Sequence, residues 1–180
     1  MAILGRGEAA WVRGAQAGSA SDLEALFRDH WPRAHRAAYL VVQDAAAAED
    51  IAQEAFLSAI RSLDRFDRRR PFGPWLHRIV VNRAIDWARA RALRDEVAGD
   101  ALAHHQAPPN DPLDPYSEPV RAALASLPPE HRAVIVLRHL LEYTPGEIAE
   151  LLELPRGTVN SRLRRGLDRL RSALPEVQRV

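Results

Sequence analysis

The stretch from Glu142 to Arg171, EYTPGEIAELLELPRGTVNSRLRRGLDRLR, leaves this chain the fewest folding options. Thr144 is followed by Pro145 and, three positions after the threonine, by Glu147. The hydroxyl can accept from an orphan amide, the proline sits where no N–H is needed, and the glutamate can reach back, so a helix starts here. Ile148, Ala149, Leu151 and Leu152 give it a short apolar stripe. Leu154 precedes Pro155 and is pushed out of the α region, which ends the helix. A second helix restarts at about Arg156, with Val159, Leu163, Leu167, Leu170 and Leu174 as its buried stripe. Its other face carries Arg156, Thr158, Asn160, Ser161, Arg162, Arg164, Arg165 and Arg169 against one acid, Asp168. A short helix, a tight turn and a basic helix with hydroxyls near its start predict a helix-turn-helix that reads DNA. The competing reading is an ordinary helical hairpin with a solvated face. Such a face normally mixes signs, and this one does not.

The formal net charge of +1 conceals a segregation. Residues 61–94 hold ten arginines against three aspartates, residues 95–118 hold six acids and no arginine, and residues 156–171 hold six arginines against one acid. Two basic blocks around an acidic spacer point to two places that meet phosphate. With no cysteine there is no disulfide, no thiolate zinc site and no cysteine nucleophile. The histidines show no ligand spacing, so neither metal nor cofactor is expected. No apolar run approaches a membrane span and no signal pattern opens the chain, which predicts a cytoplasmic protein without membrane insertion. Glycine is sparse and β-branched alternation nearly absent, so the predicted fold class is all-α.

Taken in order, Glu8 to Ala17 reads as a short helix, and a longer one runs to about Val42 with Leu23, Leu26, Phe27, Trp31, Ala34, Ala38 and Val41 inward. The helix from Asp44 to about Leu63 has Ala48, Ile51, Ala52, Ala55, Phe56, Ala59, Ile60 and Leu63 as its core stripe. Opposite lie Asp50, Gln53 and Glu54 around an outward Leu57, a pattern that suits a basic partner with an apolar centre. From periodicity alone a partner surface and a solvated face fit equally well. The loop RSLDRFDRRRPFGP then leads into a helix from about Pro74 to Arg94, on which Arg78, Asn82, Ile85 and Arg89 share one side. A basic loop before such a helix suits nucleic acid, and Phe66 and Phe72 could stack on unpaired bases or fill the core under the loop. Four prolines and the six acids of residues 95–118, with Pro119 just after them, predict a flexible linker. It would span about 25–30 Å as coil and about 80 Å fully extended. Helices near Val120–Ser126 and around Val134, Ile135, Leu137, Leu140 and Leu141 then form a platform for the helix-turn-helix. Each half is small and its core marginal.

These motifs together resemble a bacterial RNA polymerase sigma factor of the extracytoplasmic-function (ECF) class, the type with only regions 2 and 4. DAAAAEDIAQEAFLSAI resembles the region 2 helix that docks on the β′ clamp, RFDRRRPFGPWLHRIVVNRAIDWARAR the segment that melts and reads the −10 element, and SLPPEHRAVIVLRHLLEYTPGEIAELLELPRGTVNSRLRRGLDRLR region 4. One helix-turn-helix is weak support, whereas three motifs in this order with a linker between them are specific. The resemblance implies two small helical domains, region 2 at 1–94 and region 4 at 119–180, joined by the acidic linker at 95–118. It assigns Asp50, Gln53, Glu54 and Leu57 to core polymerase binding. It assigns Arg65, Arg68, Arg69, Arg70, Arg78, Asn82 and Arg89 to the −10 element, and Arg156, Thr158, Ser161, Arg162, Arg165 and Arg169 to the −35 element. The implied partners are core RNA polymerase through its β′ clamp and β flap, promoter DNA, and an anti-sigma factor if one exists, with no small-molecule substrate. Gly166 departs from the alanine frequent in the family, and the run Arg68-Arg69-Arg70 is more basic than usual there.

Two other classes are weighed against this. A free-standing helix-turn-helix repressor or activator gives no reason for the face around Leu57 or for the long acidic spacer. A nucleic-acid enzyme needs a metal-binding carboxylate cluster or an activated nucleophile, and Asp64, Asp67 and Asp86 lie among arginines without either pattern.

Overall fold

The computed structural model describes residues 6–98 and 118–174, and its secondary structure there is helical throughout. Helices α1 (Arg6–Gln16), α2 (Ala20–Val42), α3 (Ala45–Ser62) and α4 (Phe72–Ala98) make a first lobe, with a 3-10 turn at Leu63–Arg65 between α3 and α4. Helices α5 (Glu118–Ala125), α6 (Pro129–His139), α7 (Pro145–Leu152) and α8 (Arg156–Ala173) make a second. Most of the stretch read as a linker lies outside the described residues. Its first four residues do not form coil, because α4 continues past Arg94 to Ala98.

Local chemistry sets most helix ends. Ser19 and Asp44 cap α2 and α3 by accepting from the amides of Asp22 and Ala47. Pro32 lies inside α2 without ending it. The expected box at α7 is present: Thr144 Oγ1 accepts from the Glu147 amide at 3.3 Å, and Glu147 Oε2 accepts from the Thr144 amide at 2.7 Å. That second bond, with the Thr144 hydroxyl, holds the Glu147 carboxyl below the usual range. The helix ends at Glu153, whose backbone is left-handed with φ 54°, before Pro155 allows α8 to begin.

The first-lobe core gathers Leu26, Ala34, Ala38, Ile51, Ala55, Phe56, Leu76 and Val80. Two residues expected in the core stripes are placed differently, and one open alternative is decided. Phe27 (42% exposed) and Ile60 (40%) stand at the surface rather than in the core stripes, the Phe27 ring lying 4.8 Å from that of Trp31 and 4.9 Å from that of Phe56. Phe66, read above as either a base-stacking platform or a core residue, is only 9% exposed, with its ring centroid 4.6 Å from Trp75 and 5.9 Å from Phe72. Phe72 is also buried, so both rings fill the core under the basic loop.

The two lobes pack directly on one another and their apolar cores form one continuous cluster. Helix α6 lies between α8 on one side and α2 and α4 on the other. That position explains why Arg132, Ala133, Val134, Ile135, Val136 and Leu137 are all buried, leaving polar surface only toward the two ends of the helix. Helix α8 approaches α6 at Gly166, where an added Cβ would meet Ile135 Cγ1 at 3.1 Å. A larger residue there would force the helices apart.

Candidate nucleic-acid and partner interface

On α3 the side chains of Asp50 and Gln53 are exposed, Glu54 is half-buried, and Leu57 is 46% exposed between them. Glu54 has Arg61 at 3.5 Å and Arg83 at 3.6 Å, both long contacts at the surface, and Gln53 donates to Glu49 at 3.0 Å. The acidic rim therefore keeps carboxylate oxygens available to a partner. Leu57 and the misplaced Ile60 are one helical turn apart and extend the apolar centre along the helix.

The basic loop is shaped by Asp67. Its carboxylate accepts from the Arg69 amide at 3.0 Å and from Arg69 Nε and Nη2, while its carbonyl accepts from the Arg70 amide at 2.9 Å. The Arg69 side-chain bond, then the backbone one, holds the Asp67 carboxyl below its ordinary range and raises the Arg69 guanidinium. Arg65, Arg68 and Arg70 are exposed around this turn.

The loop and the second lobe enclose a cleft of about 430 Å³ lined by Arg70, Trp75, Arg78, Tyr143, Glu147 and Glu150. Along α4, the side that carries Arg78, Asn82, Ile85 and Arg89 borders the second lobe, with the two arginine side chains still 42% and 54% exposed. Arg78 pairs with Glu153, Arg89 Nε lies 2.6 Å from Glu130 Oε1, Asn82 is half-buried, and Ile85 is buried.

On α8, Val159, Leu163 and Gly166 are buried, Arg156, Arg165 and Arg169 are exposed, and Thr158, Ser161 and Arg162 are half-buried. Partial burial pushes the Glu130 carboxyl up, but the Arg89 hydrogen bond and the charges of Arg89 and Arg162 hold it below the usual range. Burial, followed by the charges of Arg169 and Arg162, lowers His131. Glu130 thus lies in the field of both basic helices.

Three groups that sequence reasoning did not single out hold the lobes together. Arg132, 6% exposed, donates to the carbonyls of Val41 at 2.6 Å, Ala125 at 2.8 Å and Leu127 at 2.8 Å. The guanidinium joins the carbonyl-rich C-terminal ends of α2 and α5, where positive charge is favoured. Burial brings its pKa down to about 10. His77 Nδ1 lies 2.7 Å from the Tyr143 hydroxyl, and its burial, followed by the charges of His30 and Arg33, brings its pKa down to about 3. Burial raises Tyr143. The one usable sequence signal was an arginine set directly before AVIVL. The His77–Tyr143 pair spans 66 positions and leaves no periodic trace.

Among the described residues Glu8, Asp29 and His30 bring three potential ligand atoms within 4.8 Å of one another. Glu8 Oε1 already accepts from the Phe72 amide at 2.7 Å, and Oε2 lies 3.2 Å from His30 Nε2. The cluster fastens α1 to α2 and to the start of α4. Gly73 allows the close approach, since a Cβ there would meet His30 Cε1 at 3.3 Å.

Residues 26–94 match the family model described as Sigma-70 region 2, and residues 117–170 match that of Sigma-70, region 4. The chain is 34% identical over 170 residues to the ECF RNA polymerase sigma factor SigW of Bacillus subtilis (strain 168), covering 87% of this chain and 89% of that one. It is 33% identical over 163 residues to the RNA polymerase sigma factor CarQ of Myxococcus xanthus, covering 89% of this chain and 94% of that one. In structure it is similar to CnrH, solved in complex with the cytosolic domain of CnrY, with a TM-score of 0.68 and 28% identity over 96% of this chain and 99% of that one.

Proposed function

Because this chain belongs to the ECF sigma factors of bacterial RNA polymerase, we propose that it binds core polymerase through α3, reads the upstream promoter element with α8, and melts and captures the downstream one with the Arg65–Arg70 loop and α4. The family is one of initiation factors and not of enzymes, so no step needs a catalytic group. The observation that carries the reading is the pairing of two dissimilar exposed faces in one chain. The acid-rimmed Leu57 on α3 suits a protein partner, and the arginine-bearing α8 behind a capped turn suits a major groove.

The energetics close without ATP. Opening costs about 1.4 kcal/mol per stacked step and a few kcal/mol to flip a base. Stacking returns about 1–3 kcal/mol per captured base, and bidentate base contacts add about 1–3 kcal/mol of discrimination each. Phe66 and Phe72 are buried, whereas Trp75 is half-buried and lines the cleft that Arg70 also lines. Polymerase holds most of the affinity, and the factor gives it direction.

We place region 2 at 1–94, the spacer at 95–118 and region 4 at 119–180, and we place the protein in the cytoplasm. No described helix is long and apolar enough to cross a membrane. A protein regulator of the anti-sigma kind is a further proposed partner. The deciding experiment is run-off transcription with purified core polymerase on closed and pre-opened templates. Promoter-specific transcripts from closed templates are expected only when the protein is added. Binding of intact duplex as a symmetric dimer, with no effect on polymerase, would identify a free-standing helix-turn-helix regulator instead.

A further inference from the structure

Glu8, Asp29 and His30 meet where α1, α2 and the start of α4 converge, and none of them belongs to the faces assigned to polymerase or DNA. Their ligand-capable atoms lie within 4.8 Å of one another. The His30 side chain is 8% exposed, that of Glu8 17% and that of Asp29 56%, so the group runs from a buried imidazole out to solvent. A cation therefore has a way in past Asp29.

The simplest account is an ion pair between Glu8 and a protonated His30. It leaves the imidazole poorly served. His30 Nε2 is buried and finds no aligned hydrogen-bond partner among the described residues, although Glu8 Oε2 is 3.2 Å away and Asp29 Oδ2 3.6 Å away. The nitrogen is within reach of a carboxylate yet does not point along the line to it. A buried polar atom in that condition calls for an explanation. A metal ion supplies one. Around zinc, ligands at about 2.0–2.2 Å in a tetrahedron stand about 3.3–3.5 Å apart, and each lone pair points at the metal and not at the neighbouring ligand. The two separations, 3.2 and 3.6 Å, bracket that edge. Glu8 is also held as a ligand needs to be. Its Oε1 accepts from the Phe72 amide at 2.7 Å, which fixes the carboxylate and leaves Oε2 beside the histidine.

We propose that Glu8 Oε2, Asp29 Oδ2 and His30 Nε2 form a binding site for a divalent transition-metal ion of the zinc type, with water in the fourth position. One imidazole with two carboxylates suits zinc and its first-row neighbours, whereas magnesium and calcium take oxygen ligands throughout. The bound ion joins α1 through Glu8, α2 through Asp29 and His30, and the entry to α4 through the Glu8–Phe72 bond. Positions 8, 29 and 30 come from two helices, which is why ligand spacing along the chain gives no sign of the site.

The test uses the full chain, stripped of metal with a chelator and titrated with zinc chloride alone, with urea unfolding as a second readout. One equivalent should bind, and zinc at a hundredfold excess over its dissociation constant should raise the urea midpoint by about 1 M. Changing even an outer partner of a metal ligand costs about 10–100-fold in affinity, so Asp29→Asn and Glu8→Gln should each cost at least about a hundredfold. Neither change threatens the fold: Asp29 is exposed, and the glutamine carbonyl still accepts from the Phe72 amide. His104→Ala/His105→Ala removes the adjacent histidine pair elsewhere in the chain and should leave zinc binding unchanged. Magnesium chloride should leave the midpoint where it was. Zinc that binds Asp29→Asn and Glu8→Gln as well as the native chain, or is lost only with His104 and His105, overturns the site. An unmoved midpoint does the same and leaves Glu8 and His30 as a plain ion pair. Equal stabilisation by magnesium overturns the part given to the imidazole.

Discussion

Replacing Arg132 with methionine removes the main polar tie between the lobes while keeping a long apolar stem. The guanidinium donates to three carbonyls, and the bonds to Val41 and Leu127 are buried. Each buried acceptor left without a donor costs about 1–3 kcal/mol. Burial of the methionine side chain and loss of the arginine's desolvation offset part of that, leaving a net cost of about 3 kcal/mol. For a chain with a stability of roughly 5–15 kcal/mol this is a large loss. With a urea m-value of about 2 kcal/mol per molar it lowers the midpoint by about 1.5 M. The assay has a built-in division. Trp11, Trp31, Trp75 and Trp87 all lie in the first lobe, so fluorescence follows that lobe while circular dichroism follows every helix. The native chain should give coincident curves, and in Arg132→Met the dichroism curve should begin to fall at lower urea than the fluorescence curve. Arg132→Lys keeps the charge without the planar fork and should fall between the two. A methionine variant whose curves stay coincident at the native midpoint would refute the assignment of Arg132 as the tie.

His77 makes the folded state pH-dependent. Its folded pKa of about 3 lies below the ordinary 6.5, so its contribution is complete above 6.5 and is lost as pH falls from there toward 3. At about 1.4 kcal/mol per pH unit the loss reaches roughly 2 kcal/mol by pH 5, and His77→Asn should flatten the urea midpoint between pH 5 and 6.5. His131 and His139 shift in the same direction and set the residual slope. Asp50→Arg/Glu54→Arg should end co-elution with core polymerase at unchanged helicity, since both side chains are on the surface; retained co-elution removes α3 as the docking face. Arg162→Ala should reduce transcription that depends on the upstream element more than it reduces polymerase binding, and equal losses would argue against base reading. Gly166→Val should cost about 1–3 kcal/mol in thermal unfolding, because its Cβ would already press on Ile135.

Local chemistry made much of this protein legible from the amino-acid sequence. The Thr144–Glu147 box, the break before Pro155 and the arginine face of α8 depend on residues a few positions apart, so one stretch of chain contains both partners of each interaction. The stripe of α3 and the acids opposite it follow for the same reason, since side chains three and four apart share a helix face. Errors arose where a second element decided the outcome. Phe27 and Ile60 match the periodic pattern of core residues, yet both stand at the surface, because no neighbouring element covers them. For Phe66 the sequence leaves base stacking and core filling open, and the approach of Phe72 and Trp75 decides for the core.

Helical spacing gave the side of Arg78, Asn82, Ile85 and Arg89 correctly as a shared face, but it could not say what that face meets. Only the tertiary structure sets Glu130 and Glu153 against it, brings Tyr143 to His77 and carries Arg132 to the end of α2. Those contacts join residues 41 to 91 positions apart. Periodicity reports which residues share one helix, whereas the choice among distant surfaces is made by the apolar area two lobes can bury together.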